Sequence, residues 1–109
     1  MLWGAMSPGQ IEVTFEYLRH LGPRCMHGAV TLRFDGTKHY SFTSLVSWPG
    51  KENMDEAVRL GVEEALREKL GGLERVAVVL ISIGWNEVSS TELGFKRAGR
   101  AATLCAFEV

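Results

Sequence analysis

His20, Cys25 and His27 stand at an H-x4-C-x-H spacing, and all three are donor types that zinc accepts. Structural zinc takes four ligands in paired short spacings. The next histidine, His39, falls beyond a strand, so the three read as solvated side chains of a loop rather than as a metal site. Cys25 would act as a nucleophile only beside a base that lowers its pKa; His27 is its i,i+2 neighbour, and a loop fixes no geometry between such neighbours. Cys105 sits among Ala101, Ala102 and Ala106 and reads as a small core residue. Basic residues offer a second chemistry. Arg19, Arg24 and Lys38 are expected near one loop, while Lys96, Arg97 and Arg100 cluster on the last helix, as phosphate contacts or as a solvated face. The rings of Trp3, Trp48 and Trp85 are able to stack on bases; Trp85 is best placed, because it precedes a loop, although an interior role suits it too. No G-x-x-x-x-G-K-[ST] loop occurs in these residues, so no nucleoside triphosphate is expected. No catalytic residue, metal or cofactor is assigned.

The chain that must position these groups has 109 residues, the size of one domain. Apolar residues make up 46% and charged residues 23%, with mean hydropathy +0.02, the composition of a folded domain rather than a disordered or membrane-embedded chain. Twelve Lys and Arg against thirteen Asp and Glu give a net charge of -1. That balance excludes phosphate neutralisation by overall surplus and leaves only a local patch for nucleic acid. Two cysteines are too few for a disulfide scaffold and fit a reduced cytosolic setting. The opening MLWGAMSPGQ lacks a basic n-region, and no apolar run is long enough to span a bilayer, so a cytoplasmic location without membrane contact is expected.

From Gln10, apolar Ile11, Val13, Phe15 and Tyr17 alternate with polar residues, which predicts a strand with one buried face. A loop is expected from His20 to Gly28. Val30, Leu32 and Phe34 form a second strand, and Asp35-Gly36 signals a hairpin to a third, Tyr40 to Val46. The period then lengthens to that of a helix. Asn53 with Glu56 predicts a capping box, Met54, Val58, Gly61, Val62, Ala65 and Leu66 an apolar stripe, and Glu63 with Arg67 a pair on the wet side. Gly71-Gly72 stops this helix. Val76 to Ile83 is a fourth strand, apolar on both faces and therefore central. Ser89 to Glu92 reads as a capping box opening a helix to about Phe107. The order β-β-β-α-β-α predicts an α+β two-layer sandwich, with residues 1–9 as an extension and 10–109 as one domain.

The fourth strand also predicts apolar side chains on the face away from the helices. Either a partner surface, such as a second copy of the chain, or the Leu2-Trp3 segment would cover them. Gly94, Ala98, Gly99 and Ala102 recur three or four apart and predict close approach of the last helix to the sheet.

Three blocks resemble the fourth domain of elongation factor G, the ribosomal translocase. Glu87-Val-Ser-Ser-Thr-Glu-Leu-Gly-Phe-Lys96 matches the family's Tyr-His-Glu-Val-Asp-Ser-Ser-Glu-Leu-Ala-Phe-Lys, with Trp85 at a similar position just upstream. Met54-Asp-Glu-Ala-Val-Arg-Leu-Gly-Val-Glu-Glu-Ala-Leu66 looks like its Ala-Val-x-x-Gly-(Ile/Val)-x-Glu-Ala-Leu. Arg19-His-Leu-Gly-Pro-Arg-Cys-Met-His-Gly-Ala-Val30 is similar to its Arg-Gln-Thr-Gly-Gly-Arg-Gly-Gln-Tyr-Gly-His-Val. The blocks keep the family's order and cover nearly all of Gln10 to Phe107.

The resemblance implies a ribosomal protein S5 domain 2-like fold with a left-handed βαβ crossover, against the usual hand. It also implies two tip loops, here Gly22–Gly28 and Gly84–Ser90, that meet the ribosomal decoding site. Pro23 and Cys25 depart from the family's glycines, Asn86 from its tip histidine and Ser89 from its aspartate. Proline fixes φ and donates no hydrogen bond, so the tip has lost family character where the core has not. The function this implies is a non-catalytic module contacting the ribosome or RNA through Arg19, Arg24, Trp85 and Asn86. The alternative is a diverged protein-interaction module, homodimerising through the second face of the sheet. No enzymatic activity is expected.

Overall fold

A computed structural model describes residues 10–21, 24–36, 38–49, 53–72, 76–86 and 90–107, with the side chains of Leu21 and Arg24 outside the description. Strands β1 (Gln10–Leu21) and β2 (Arg24–Asp35) form one antiparallel hairpin in register from Gln10–Asp35 to Leu21–Arg24. Ile11, Val13 and Phe15 lie directly opposite Phe34, Leu32 and Val30, so the alternation seen in both segments meets on one face. Of the loop expected over His20 to Gly28, His20, Leu21 and residues 24–28 are ladder instead, and Gly22 and Pro23 lie outside the described residues. Gly28 is a strand residue, kept small by a helix close above it rather than by a turn.

Strands β3 (Ser41–Ser44) and β4 (Ala77–Gly84) complete a sheet of order β1-β2-β4-β3. The hairpin expected at Asp35-Gly36 does not form, because β4 lies between β2 and β3, antiparallel to the first and parallel to the second. Asp35 is buried at the sheet end and accepts a hydrogen bond from Gln10 Nε2 at 3.3 Å. The central place expected for β4 follows from its apolar faces. A β-bulge adds detail. Thr31 pairs with Ser82 but Leu32 with Leu80, so Ile81 is the extra residue. Val76, Val78 and Leu80 point into the core before it, and Ile83, opposite Val30, turns back towards the core after it. The bulge thus takes up part of the second apolar face. Ala77 and Val79 stay half-buried on the outer side; the Leu2-Trp3 segment expected to cover it lies outside the described residues.

Helix α1 (Asp55–Leu70) joins β3 to β4, the crossover that parallel neighbours require. Its predicted stripe is buried throughout. The capping box differs from expectation. Met54 holds the cap position without a side-chain bond, Asn53 Oδ1 accepts from the Asp55 amide at 2.9 Å, and Glu56 pairs with Arg59. Gly71 ends the helix at φ 76°. Glu63 is not on the wet side. It is buried and carries ion pairs to Arg59 and, at 3.5 Å, to Arg67.

Helix α2 (Glu92–Ala106) is capped by Thr91, whose hydroxyl accepts from the Gly94 amide at 2.9 Å, two residues later than the Ser89 cap predicted. One cluster joins Leu32, Phe34, Val78 and Leu80 to Val58, Val62 and Leu66 of α1 and Phe95, Ala98 and Ala102 of α2, so both helices cover one face. Each such aliphatic or aromatic side chain contributes about 1.5–3 kcal/mol by leaving water. Cys105 is exposed, not core, because the buried side of α2 ends at Ala102 and Thr103. The small residues of α2 divide their work: Gly94 meets β2, whereas Gly99 meets Val58 of α1, and Gly61 of α1 meets the Lys96 carbonyl.

Candidate functional site

The long axis of the fold is 43 Å, against 28 and 27 Å across it. Twelve strand residues at about 3.3 Å each span that length, so the β1–β2 hairpin runs from end to end. Pairing of β2 with β4 stops at Ala29–Gly84. Beyond Gly28 the hairpin continues through the pairs Leu18–His27, Arg19–Met26, His20–Cys25 and Leu21–Arg24, roughly 13 Å further. Leu18, Arg19 and His20 are exposed on this projection.

The sequence-predicted contacts fall into three places. Arg19 and the backbone of Arg24 lie on the projecting hairpin, the Arg24 side chain outside the described residues. Asn86 is exposed just past β4, where the second connection leaves the sheet. Trp85 is half-buried in an aromatic cluster. Its ring stacks on Phe95 at 5.8 Å, and Trp48 sets its edge against both, at 6.2 Å from Trp85 and 5.0 Å from Phe95. Lys38, expected near Arg19, stands at the other end of the sheet, 4.0 Å from Asp35. Ser89 and the rest of 87–89 lie outside the described residues.

His27 ties the hairpin to the second connection. Its Nε2 is 2.8 Å from Glu16 Oε2 and its Nδ1 3.3 Å from Ser90 Oγ. With the ring neutral and Nε2–H donated to Glu16, Nδ1 accepts the Ser90 hydroxyl proton. Ser90 Oγ in turn accepts the Asn86 amide at 2.8 Å, and the Thr91 amide donates to the His27 carbonyl at 3.3 Å. The hydroxyl is turned to partners within the fold, so this Ser–His–Glu chain is a latch between three segments. Both ring nitrogens of His27 are engaged, and no three His, Cys, Asp or Glu side chains converge on a metal-sized site among the described residues. Sequence reasoning missed Glu16 and Ser90, because both become neighbours of His27 only through the register.

The cations of α2 divide. Lys96 faces Glu64 at 3.6 Å, and Arg100 reaches both Glu64, at 2.9 Å, and Glu68. Arg97 turns the other way, over Tyr17 of β1: its Nη1 donates to the phenol oxygen at 3.1 Å, and its guanidinium carbon is 5.8 Å from the ring centroid. Arg19 follows Tyr17 two residues along the same strand face. Desolvation pushes the Tyr17 phenol up, yet hydrogen bonds from Arg97 and Arg19 with their charges hold it below the usual tyrosine value. Tyr17, Leu93, Lys96, Arg97, Arg100 and Leu104 line a groove of about 450 Å³, with Glu64 on its far wall.

At the opposite end, Tyr40 donates its hydroxyl to Glu63 Oε2 at 2.5 Å, where Arg59 Nη1 also donates at 2.6 Å. Ser44 and Trp48 both donate to Asp55 Oδ1 at 2.7 Å. These bonds fasten α1 to the β3 edge.

No protein-family model matches the chain, and no curated protein matches it. Among solved structures it is similar to the crystal structure of ttk003000868 from Thermus thermophilus, with a TM-score of 0.75 and 25% sequence identity. The match covers 86% of this chain and 15% of that one, so the chain spans a small part of the length of its solved relative. The two share the architecture built above, a four-stranded sheet with two helices on one face, in an α+β two-layer fold.

Proposed function

We propose that the chain is a non-catalytic module similar to the fourth domain of elongation factor G, which contacts the ribosome or its RNA through the far end of the β1–β2 hairpin. The observation that carries this reading is the continuation of that hairpin about 13 Å beyond Gly28, roughly 10 Å of it past the bridge from His27 to Ser90. An elongated body with exposed Arg19 and His20 near its end is shaped to enter a recess rather than to meet a flat surface. Arg19, Arg24 and Asn86 are the contacts in this reading. Trp85 serves it as an anchor: stacked on Phe95, it fixes the strand end from which Asn86 emerges. Co-sedimentation of the purified protein with 70S ribosomes tests it. Pelleting that weakens steeply between low and moderate salt is expected; no pelleting at either salt contradicts it.

A second reading rests on the outer sheet face, where Ala77 and Val79 stay half-buried and no helix lies over them among the described residues. There the chain would pair with a second copy, and sedimentation equilibrium would read a dimer that does not pellet with ribosomes.

A further inference from the structure

We propose that Arg97, seated on Tyr17, and Arg19, two residues along the same strand face, form a binding site for one RNA phosphodiester at the root of the hairpin. The inference rests on the RNA-contact reading above and gives it a ligand chemistry and a place away from the hairpin end.

Charge matching is the first support. Of the three cations on α2, Lys96 and Arg100 are matched by Glu64 and Glu68 across the helix pair. Arg97 points to β1, where the nearest ionisable partners are another cation and a phenol. Among the described residues neither Arg19 nor Arg97 has a carboxylate within ion-pair distance. Two guanidinium groups on one side of a sheet repel, and an anion between them reverses the sign of that interaction.

Donor geometry is the second. Tyr17 Oη accepts from Arg97 and keeps its own proton to donate. The Arg97 fork and the Tyr17 hydroxyl thus offer N–H and O–H donors together, with the Arg19 fork available from the same strand face, an arrangement that suits a phosphate rather than a point charge. The stacked contact between Arg97 and the Tyr17 ring holds its fork in position before the ligand arrives.

The third is the groove beside it. At about 450 Å³ it has room for a nucleoside, and its lining mixes apolar Leu93, Ala101 and Leu104 with Lys96, Arg100 and their partner Glu64. An acidic peptide would satisfy the charge but leaves this adjoining space unused.

The test is a titration of the full chain with a 12-nucleotide oligouridylate over a series of salt concentrations. The slope of log affinity against log salt should fall in magnitude by about 0.7 in Arg97→Gln and again in the Arg19→Gln, Arg97→Gln double variant. Tyr17→Phe keeps both charges, so its affinity drops while its slope stays. Lys38→Gln, at the opposite end of the sheet beside Asp35, leaves the slope unchanged, and circular dichroism establishes that each variant is folded. The proposal is overturned if the oligonucleotide does not bind, if Arg97→Gln keeps the wild-type slope, or if Lys38→Gln lowers the slope as much as Arg97→Gln. Oligouridylate binding with this pattern but no pelleting with ribosomes sinks the ribosome reading and leaves the phosphate site standing. Pelleting with unchanged slopes does the reverse.

Discussion

Gly28 of β2 and Gly94 of α2 meet backbone to backbone. A Cβ on Gly28 would overlap the Gly94 carbonyl and stand 2.6 Å from the Phe95 nitrogen, and one on Gly94 would lie 2.7 Å from the His27 carbonyl carbon. This contact sets the start of α2 directly on the strand that becomes the hairpin. Gly28→Ala cannot be accommodated by turning a side chain, since the obstacle is backbone. It is expected to cost about 3 kcal/mol, at the upper end of ordinary overpacking. Gly72→Ala, with nothing within 4 Å, should stay within about 0.5 kcal/mol of wild type. Urea midpoints of the two variants check the contrast, and equal midpoints would count against the close approach.

Stability should fall at both ends of the pH range through one pair. Burial pushes the Glu63 carboxyl up, but the Tyr40 hydroxyl and the Arg59 guanidinium outweigh it and hold the group below the usual carboxylate range. A depressed folded pKa gives stability present above the unfolded value, about 4.3, and lost as pH falls through the folded one. Tyr40 is the opposite case. Burial, then the bond to Glu63, raises its phenol well above the ordinary value. Its contribution is complete below about pH 10 and is lost as pH rises past that. Urea midpoints from pH 3 to 11 should show both declines, with Glu63→Gln flattening the acid limb and Tyr40→Phe the alkaline one. Tyr40→Phe also loses a hydrogen bond to a charged group, about 2 kcal/mol at neutral pH.

His27→Ala removes both side-chain bonds of the latch and should cost about 2 kcal/mol. The local effect is more diagnostic than the global one. Ser90 Oγ, which accepts the Asn86 amide, loses the ring that orients it. Native-state hydrogen exchange at Asn86 should quicken more than at Val78 in the core. Equal acceleration at both positions would mean that His27 only adds to overall stability.

Legibility followed range along the chain. The α1 stripe, the Gly71 stop and the alternations of β1 and β2 are local patterns, and all appear in the fold. The Asp35-Gly36 hairpin failed because a turn signal does not reveal that a later strand will take the neighbouring place. Gly28 misled in a related way: a glycine kept small for a helix far along the chain looks in sequence like a turn. Cys105 was misplaced because an alanine-rich helix end carries too little apolar contrast to mark its buried side. Arg19 and Asn86 stand out in the sequence only through the family resemblance of their blocks. The turn of Arg97 onto Tyr17, and the union of Glu16, His27 and Ser90, depend on strand register and helix placement that no local pattern encodes.

The central claim is that the hairpin end is the surface that meets the ribosome. A photo-crosslinking amino acid at exposed His20, on the projection, tests it most directly beside one at exposed Leu45, which follows the edge strand β3. The account predicts crosslinks to ribosomal RNA or protein from position 20 that disappear at moderate salt, with none from position 45. Equal crosslinking from both positions, or crosslinking from position 45 alone, would contradict it.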